Sequence, residues 1–394
     1  MLSEDAPVSK MFIPSLVLAS FATQPPETIL SLLLIDMAES FDAPLGTMGQ
    51  IRTAAGTLSL VSAIAMGLLS IRVKHKTLLL TGLGFLIVSG IGCSLARSYP
   101  LMLAMYSLSG ISLAMIGPMV FALIGKHIPL KERARATGYI VAGNASSFFI
   151  GPPVLSYLTS IGGWRTSFQF YMLPIALIGA VLSLLGVPSE ETESRNFDTG
   201  AILGGFWSLL SNKSVIACLL GGLLAKAAWQ GVLSYGISFY RDEFELSRSA
   251  ASLILSGVAL IFIAGVLGSS WFINRYGRKT VTFVSFLLMG VFSLFYMSLG
   301  YFWASLGVLF IMSLMSGLRR NASQSLSLEQ VPLLRGSMMS LSAAADSLGS
   351  VVGAGIGGYV LGLGGYWMVG SVLGVLGVLS AITIRLFAID PTKT

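Results

Sequence analysis

Charged side chains are what this sequence lacks. Asp, Glu, Lys and Arg make up only 10% of its 394 residues, whereas 54% are hydrophobic; an ordinary soluble domain carries roughly 25% charge. Mean hydropathy is +0.83. A disordered chain needs the opposite balance, and a soluble globular protein is poorly served by this one. Cysteine and histidine are almost missing, at two each. Cys93 and Cys218 lie inside apolar runs, so they make neither a disulfide framework nor a metal-binding spacing. His75 and His127 fall in loops, which leaves too few ligands for a catalytic metal site, and no cofactor is expected. There is no phosphate loop and no Ser/His/Asp arrangement, so no enzyme is expected either. Residues Met1–Lys10 are mixed in charge and lead into no small-residue cleavage site, so the first apolar run reads as a membrane helix rather than a removable signal.

Long apolar runs are present instead. About 20 mostly apolar residues cross a bilayer as a helix. Twelve such segments occur, at 11–36, 48–71, 77–95, 100–125, 136–159, 167–187, 214–240, 249–273, 280–299, 302–327, 337–361 and 364–387. The widest polar gap, 188–213, holds Pro188, Glu190, Glu191, Glu193, Arg195 and Asp198 and reads as a linker. Its end, with Phe206, Trp207, Leu209 and Leu210, is suited to lie along a membrane surface. With the N-terminus inside, sixteen of the 24 Lys and Arg fall in cytosolic loops, and four, Arg97, Arg165, Arg241 and Arg248, fall outside. That asymmetry places both termini in the cytosol of a cell-membrane protein. It also explains the net charge of +7 without a nucleic-acid partner. Trp164 and Trp303, near span ends, read as interfacial anchors.

The chain reads as a repeat. Arg133, Gly151 and Gly162-Gly163-Trp164 reappear as Arg335, Gly353 and Gly364-Gly365-Tyr366, all at an offset of 202. The expectation is an all-α membrane protein of twelve transmembrane helices in two pseudo-symmetric six-helix bundles, 1–187 and 214–394, joined by a cytosolic linker at 188–213. A parallel repeat of this kind carries its substrate site between the halves. Gly353-Ala354-Gly355-Ile356-Gly357-Gly358 matches a dinucleotide fingerprint but follows no strand, so close helix packing is the better reading. The sequons at Asn144 and Asn321 lie within spans.

Asn274-Arg275-Tyr276-Gly277-Arg278-Lys279, between the eighth and ninth spans, resembles the loop signature Asp-Arg-x-Gly-Arg-Arg/Lys of the major facilitator superfamily. The matching loop between the second and third spans, with Gly67, Ile71, Arg72, Lys74, His75 and Lys76, keeps the basic residues and loses the acid and the second glycine. Gly138, Gly143 and Gly151-Pro152 in the fifth span are similar to the glycine pattern of the drug:proton antiporter branch. The fourth span departs from that branch, having Tyr106, Ser109 and Gly110 where Arg-x-x-Gln-Gly is the pattern. The resemblance implies the major facilitator fold, alternating access, and gating by the two loops. It also implies that spans 1, 4, 7 and 10 line a cavity. Without the acid, the cytosolic latch is expected to be weaker or built from other residues.

Six charges fall at least four residues inside spans: Glu27, Arg52, Lys226, Arg319, Arg320 and Asp346. Each costs about 2.5–3.5 kcal/mol at a helix centre, so each must face a cavity, pair, or serve function. Glu27 follows Pro25 and Pro26 and shares a helical face with Thr23, Gln24 and Ser31. The prolines cannot donate, which frees carbonyls near Phe21 and Ala22. Glu27 reads as a substrate or proton site, or else as a structural ion-pair partner. Lys226, Gln230, Ser234 and Ser238 form a second stripe, with Gln230 the repeat mate of Glu27. Arg320 continues a stripe of Ser313, Ser316, Ser323, Gln324 and Ser327 and is placed in the cavity, with Arg319 pairing Asp346 or reaching the cytosolic surface. Asp346 is the repeat mate of Asn144. Arg52 reads as a snorkelling cation.

These readings converge on a secondary transporter of a small-molecule substrate, monomeric in membrane lipid. Its expected work is efflux of amphiphilic molecules driven by a proton gradient, as an antiporter. Four intramembrane cations against two anions favour an organic-anion carrier as the alternative. A non-transporting membrane sensor on the same fold is the alternative of another class.

Overall fold

The computed structural model describes residues 10–188, 211–331 and 335–390. The linker stretch with Phe206, Trp207, Leu209 and Leu210 lies outside the described residues, as does the side chain of Arg72. The chain is helical along the apolar runs, apart from a break at Ala22–Gln24 and the end of the ninth run after Tyr296. The helices are α1 Phe12–Phe21, α2 Pro25–Ser40, α3 Leu45–Arg72, α4 His75–Leu95, α5 Tyr99–His127 and α6 Leu130–Gly162. They continue with α7 Arg165–Gly186, α8 Lys213–Glu243, α9 Arg248–Tyr276, α10 Arg278–Tyr296, α11 Phe302–Gln330 and α12 Arg335–Phe387. Helices α1 and α2 share the first apolar run, and α12 carries the last two across a kink at Gly365. Among the described residues, eight helices are long and apolar enough to cross a membrane, the last of them covering Leu341–Phe387. The two histidines, expected in loops, are terminal helix residues: His75 opens α4, and His127 closes α5 with its ring 5.5 Å from that of Phe12.

Two compact units result. Unit 1 comprises 1–42 and 54–195; unit 2 comprises 43–53 and 196–394. The first turns of α3 thus belong with unit 2. In unit 1, α4 packs on α5 and α7, and α6 lies along α1 and α2. In unit 2, α8 and α10 pack on α12, and α9 and α10 pack on α11. Glycine makes the tightest of these crossings possible. A Cβ on Gly353 of α12 would strike the carbonyl of Ala227 in α8, and one on Gly357 would fall 2.7 Å from the Tyr235 ring. The glycine-rich stretch of α12 is therefore a packing surface, as its sequence context predicts.

The backbone preserves the repeat where side chains have diverged. Gly163 and Gly365 have φ of +78° and +74°, a left-handed conformation that glycine alone adopts readily. Asp42 and Glu245, 203 positions apart, both have positive φ, +49° and +51°. Each follows a phenylalanine, Phe41 or Phe244, that ends its helix at φ/ψ of −105°/5° or −111°/8°. The turns between α3 and α4 and between α9 and α10 differ because only one of them has glycine at the matching position. Gly277 takes φ +85° between α9 and α10, whereas its mate Lys74 has a side chain and takes φ −56°.

Candidate functional site

In unit 1 the first span is broken at its polar centre. Helix α1 ends at Phe21 and α2 starts at Pro25, because proline is favoured at the first position of a helix and cannot continue one. Sequence spacing puts Thr23 and Gln24 on a helical face with Glu27; in the structure they lie in the break instead. The Phe21 carbonyl is not freed, since it accepts the Gln24 N–H at 3.0 Å. The Gln24 side chain donates through Nε2 to Thr23 Oγ1 at 2.7 Å, and Thr28 Oγ1 donates to the Gln24 carbonyl at 3.2 Å. Glu27 sits half-buried in the first turn of α2, where the helix dipole favours a carboxylate. From α5, the buried Tyr106 phenol donates to the Pro26 carbonyl at 2.9 Å.

Helix α6 closes on the same region. A Cβ on Gly143 would fall 2.8 Å from Val17 Cγ1, and one on Gly151 would fall 2.9 Å from Tyr171 Oη and 3.4 Å from Thr28 Cγ2. Pro152 follows, buried within α6. Asn144 is half-buried, and its Oδ1 has no hydrogen-bond partner among the described residues.

In unit 2 the α8 stripe becomes a hydrogen-bonded chain. Lys226 Nζ donates to Gln230 Oε1 at 3.0 Å, and Ser234 Oγ donates to the Gln230 carbonyl at 2.7 Å. Arg52 Nη1, from the first turns of α3, donates to Ser234 Oγ at 2.8 Å. Gln50, two residues before Arg52 on α3, donates through Nε2 to the Gly355 carbonyl at 3.2 Å. Arg52 is 4% exposed. It does not snorkel; the serine on α8 receives its guanidinium inside unit 2. Hydrogen bonds to charged groups contribute about 1.5–3 kcal/mol. In a double-mutant cycle followed by unfolding in detergent, Arg52→Met and Ser234→Ala are each expected to destabilise the protein. The pair is expected to cost less than the sum by about that amount; additive losses would mean that the contact carries no energy.

Helix rotation separates the two arginines of α11. Arg319 is 5% exposed and Arg320 is exposed, as residues 100° apart on a helix can be. The Arg319 guanidinium lies 5.9 Å from the Phe286 ring centre, and its Nε has no hydrogen-bond partner among the described residues. The Asp346 charge acts on it across the α11–α12 packing. Asp346 is half-buried.

At the loop signatures, Lys76 Nζ donates to the carbonyls of Leu184 and Val187 at 2.7 and 2.6 Å. It caps the end of α7, where unsatisfied carbonyls favour a cation. Gly67 lies in α3, five residues before its last residue, Arg72. In unit 2, Asn274 and Arg275 are exposed, with the Arg275 guanidinium 5.4 Å from the Trp271 ring centre. Arg278 donates to Ser325 Oγ at 2.7 Å and pairs with Glu329 at 3.8 Å. Glu329, which sequence reasoning missed, supplies from α11 an acid that the signature position Asn274 lacks. The Lys279 N–H donates to Asp390 Oδ2 at 3.4 Å. Trp164 is 4% exposed and packs between Phe41 and Phe168, so it is a core residue rather than an interfacial anchor; Trp303 is 66% exposed.

Relatives share this organisation. The family profile described as Major Facilitator Superfamily matches residues 16–247 and 230–394. The uncharacterised MFS-type transporter YceJ of Bacillus subtilis (strain 168) is 25% identical over 367 residues, 91% of each chain. Multidrug resistance protein 1 of the same organism is 27% identical over 190 residues, 48% of each chain. The solved structure of a D-xylose-proton symporter superposes with a TM-score of 0.78 at 17% identity, over 96% of this chain and 98% of that one, a likeness of fold. A family match through both halves of the sequence joins the repeated helical architecture to one conclusion: the chain belongs to the Major Facilitator Superfamily and is a multi-pass membrane transporter of small molecules, not an enzyme.

Proposed function

We propose that this transporter works by alternating access as a proton-coupled exporter of small amphiphilic molecules, with Glu27 as the group that exchanges the proton. The observation that carries this reading is the carboxylate in the first turn of a helix interrupted within its span. A carboxyl at membrane depth marks an ion or proton pathway, and broken helices hold such sites in transporters. The multidrug-resistance name of one relative supports export. In each cycle Glu27 takes a proton from one side and releases it to the other, in exchange for substrate. Gln24 and Asn144 would serve the same site as uncharged polar partners. The loops with Gly67, Arg72 and Lys76, and with Asn274, Arg275, Gly277, Arg278 and Lys279, would act as cytosolic gates. The glycines of α6, with Pro152, would hold that helix close to α1 and α2. The protein would act as a monomer in the cell membrane with both termini cytosolic.

A second reading, carriage of organic anions, rests on a different observation. Arg52 and Lys226 lie on one hydrogen-bonded chain through Ser234 and Gln230, and Arg319, Arg320 and Asp346 add a net positive charge in unit 2. Proteoliposomes loaded with a pH dye and given panels of lipophilic cations and organic anions separate the two. Export by proton exchange is expected to give a pH change driven by the cation or neutral amphiphile panel. Transport of anions alone, with no pH change, would overturn it in favour of the second reading.

A further inference from the structure

We infer that Tyr106 is a positioning residue for Glu27: its phenol pins the first turn of α2 and so places the carboxyl that exchanges the proton. This deepens, and rests on, the reading of Glu27 given above. Pro25 and Pro26 have no N–H, so neither can donate back to Phe21 or Ala22 and hold α1 and α2 as one helix. The break spans Ala22–Gln24. Glu27 is therefore not oriented by a continuous helix from the residues before it. Its turn is held by contacts from its own N-cap and from neighbouring helices of unit 1. The Tyr106 phenol donates to the Pro26 carbonyl at 2.9 Å, one residue before Glu27. Gly151 of α6 leaves room for Thr28, one residue after Glu27. Thr28 Oγ1 reaches back to the Gln24 carbonyl at 3.2 Å.

Of these, the phenol reaches the turn from another helix by a hydrogen bond. It is held firmly at its other end. Tyr106 is 2% exposed, and its own carbonyl accepts Ser109 Oγ at 2.6 Å. One turn further along α5, Gly110 lies so close to α3 that a Cβ there would strike the Ala55 backbone. Helix α5 is thus seated against α3 while Tyr106 reaches across to α2. The ring fills its site, so Tyr106→Phe removes the hydrogen bond and little else.

Two measurements test this on the full-length protein in proteoliposomes. The first is the rate at which N-ethylmaleimide labels Glu27→Cys in a Cys93→Ala, Cys218→Ala background, with and without Tyr106→Phe. Loss of one neutral hydrogen bond is expected to raise the rate about fivefold. The second is the number of protons moved per substrate, which is expected to fall below the wild-type ratio in Tyr106→Phe, while the thermal midpoint in detergent shifts by a few degrees only. An unchanged labelling rate overturns the proposal. So does a proton ratio that survives Tyr106→Phe but is lost in Glu27→Gln, because the turn would then matter to packing and not to coupling. A ratio that survives Glu27→Gln is a different failure, that of Glu27 as the proton carrier; a raised labelling rate would still establish that Tyr106 holds the turn.

Discussion

Glu27→Gln is expected to abolish substrate-linked proton movement in proteoliposomes, leaving the pH-dye signal at the background of empty vesicles. The amide matches the carboxyl in size and keeps its hydrogen-bonding capacity, but it cannot take up or release a proton. Exchange of labelled substrate across the membrane, which needs no net proton, is expected to persist within about the few-fold range that one altered hydrogen bond produces. The contrast separates a carrier of protons from a structural partner. Glu27→Asp keeps the charge and retracts it by one methylene from the first turn of α2, so coupling should be weakened rather than lost. Full coupling in Glu27→Gln would move the role to the other intramembrane carboxyl, Asp346. Asp346→Asn would then be the variant without a proton signal. Asp346 stands in a different setting, on a continuous stretch of α12 with the Arg319 charge acting beside it.

The second large effect concerns packing. Gly265→Val in α9 is expected to prevent recovery of folded protein, whereas Gly268→Val, three residues along the same helix, is expected to be tolerated. A Cβ at Gly265 would strike the Leu314 carbonyl and lie 3.2 Å from the Gly317 Cα of α11. Those are backbone atoms, which cannot rotate away. Gly268 has nothing within 4 Å of the same position. Overpacking a core commonly costs about 1–3 kcal/mol, and more when no side chain can yield. Valine has a higher helix propensity than glycine, by a few tenths of a kcal/mol or so, and this gain applies at both sites. The difference between the two variants therefore reports the α9–α11 crossing alone. Yield of monodisperse protein in detergent and its thermal midpoint are the readouts. Equal behaviour of the two would mean that the helices do not cross where Gly265 and Gly317 meet.

The tilt of single helices decided several points that spacing left open. Arg319 and Arg320 are neighbours in sequence, and the serine stripe of α11 favours Arg320 as the inward one. Yet Ser313, Ser316 and Arg319 are all buried, and Arg320 is not. A stripe defined by hydroxyls locates a polar face to within about one residue, or 100° of rotation. Serine hydroxyls blur it further, because they bond backward to their own helix, as Ser109 and Ser350 do, and so tolerate an apolar neighbour. Arg52 was misread for a related reason. Its distance from the end of its span suggests a side chain long enough to snorkel, and nothing near it in sequence offers a partner. Ser234, 182 positions on, is that partner.

By itself the sequence determined where the apolar helices run and where the two halves repeat, and it marked the proline pair at which the structure breaks the first span. Each of these rests on a local property. Apolar runs make spans, adjacent prolines withhold two donors, and Gly163, Gly277 and Gly365 mark turns at positive φ that other residues resist. The family followed from the same local marks, since the loop signature and the helix glycines are contiguous in the chain. Only the tertiary structure decided which polar groups meet: Arg52 with Ser234, Tyr106 with the Pro26 carbonyl, and Arg278 with Glu329. Those partners lie on different helices. Which of them touch depends on how each helix is rotated and how closely glycine lets it approach, and both are set by the packing of all its neighbours at once.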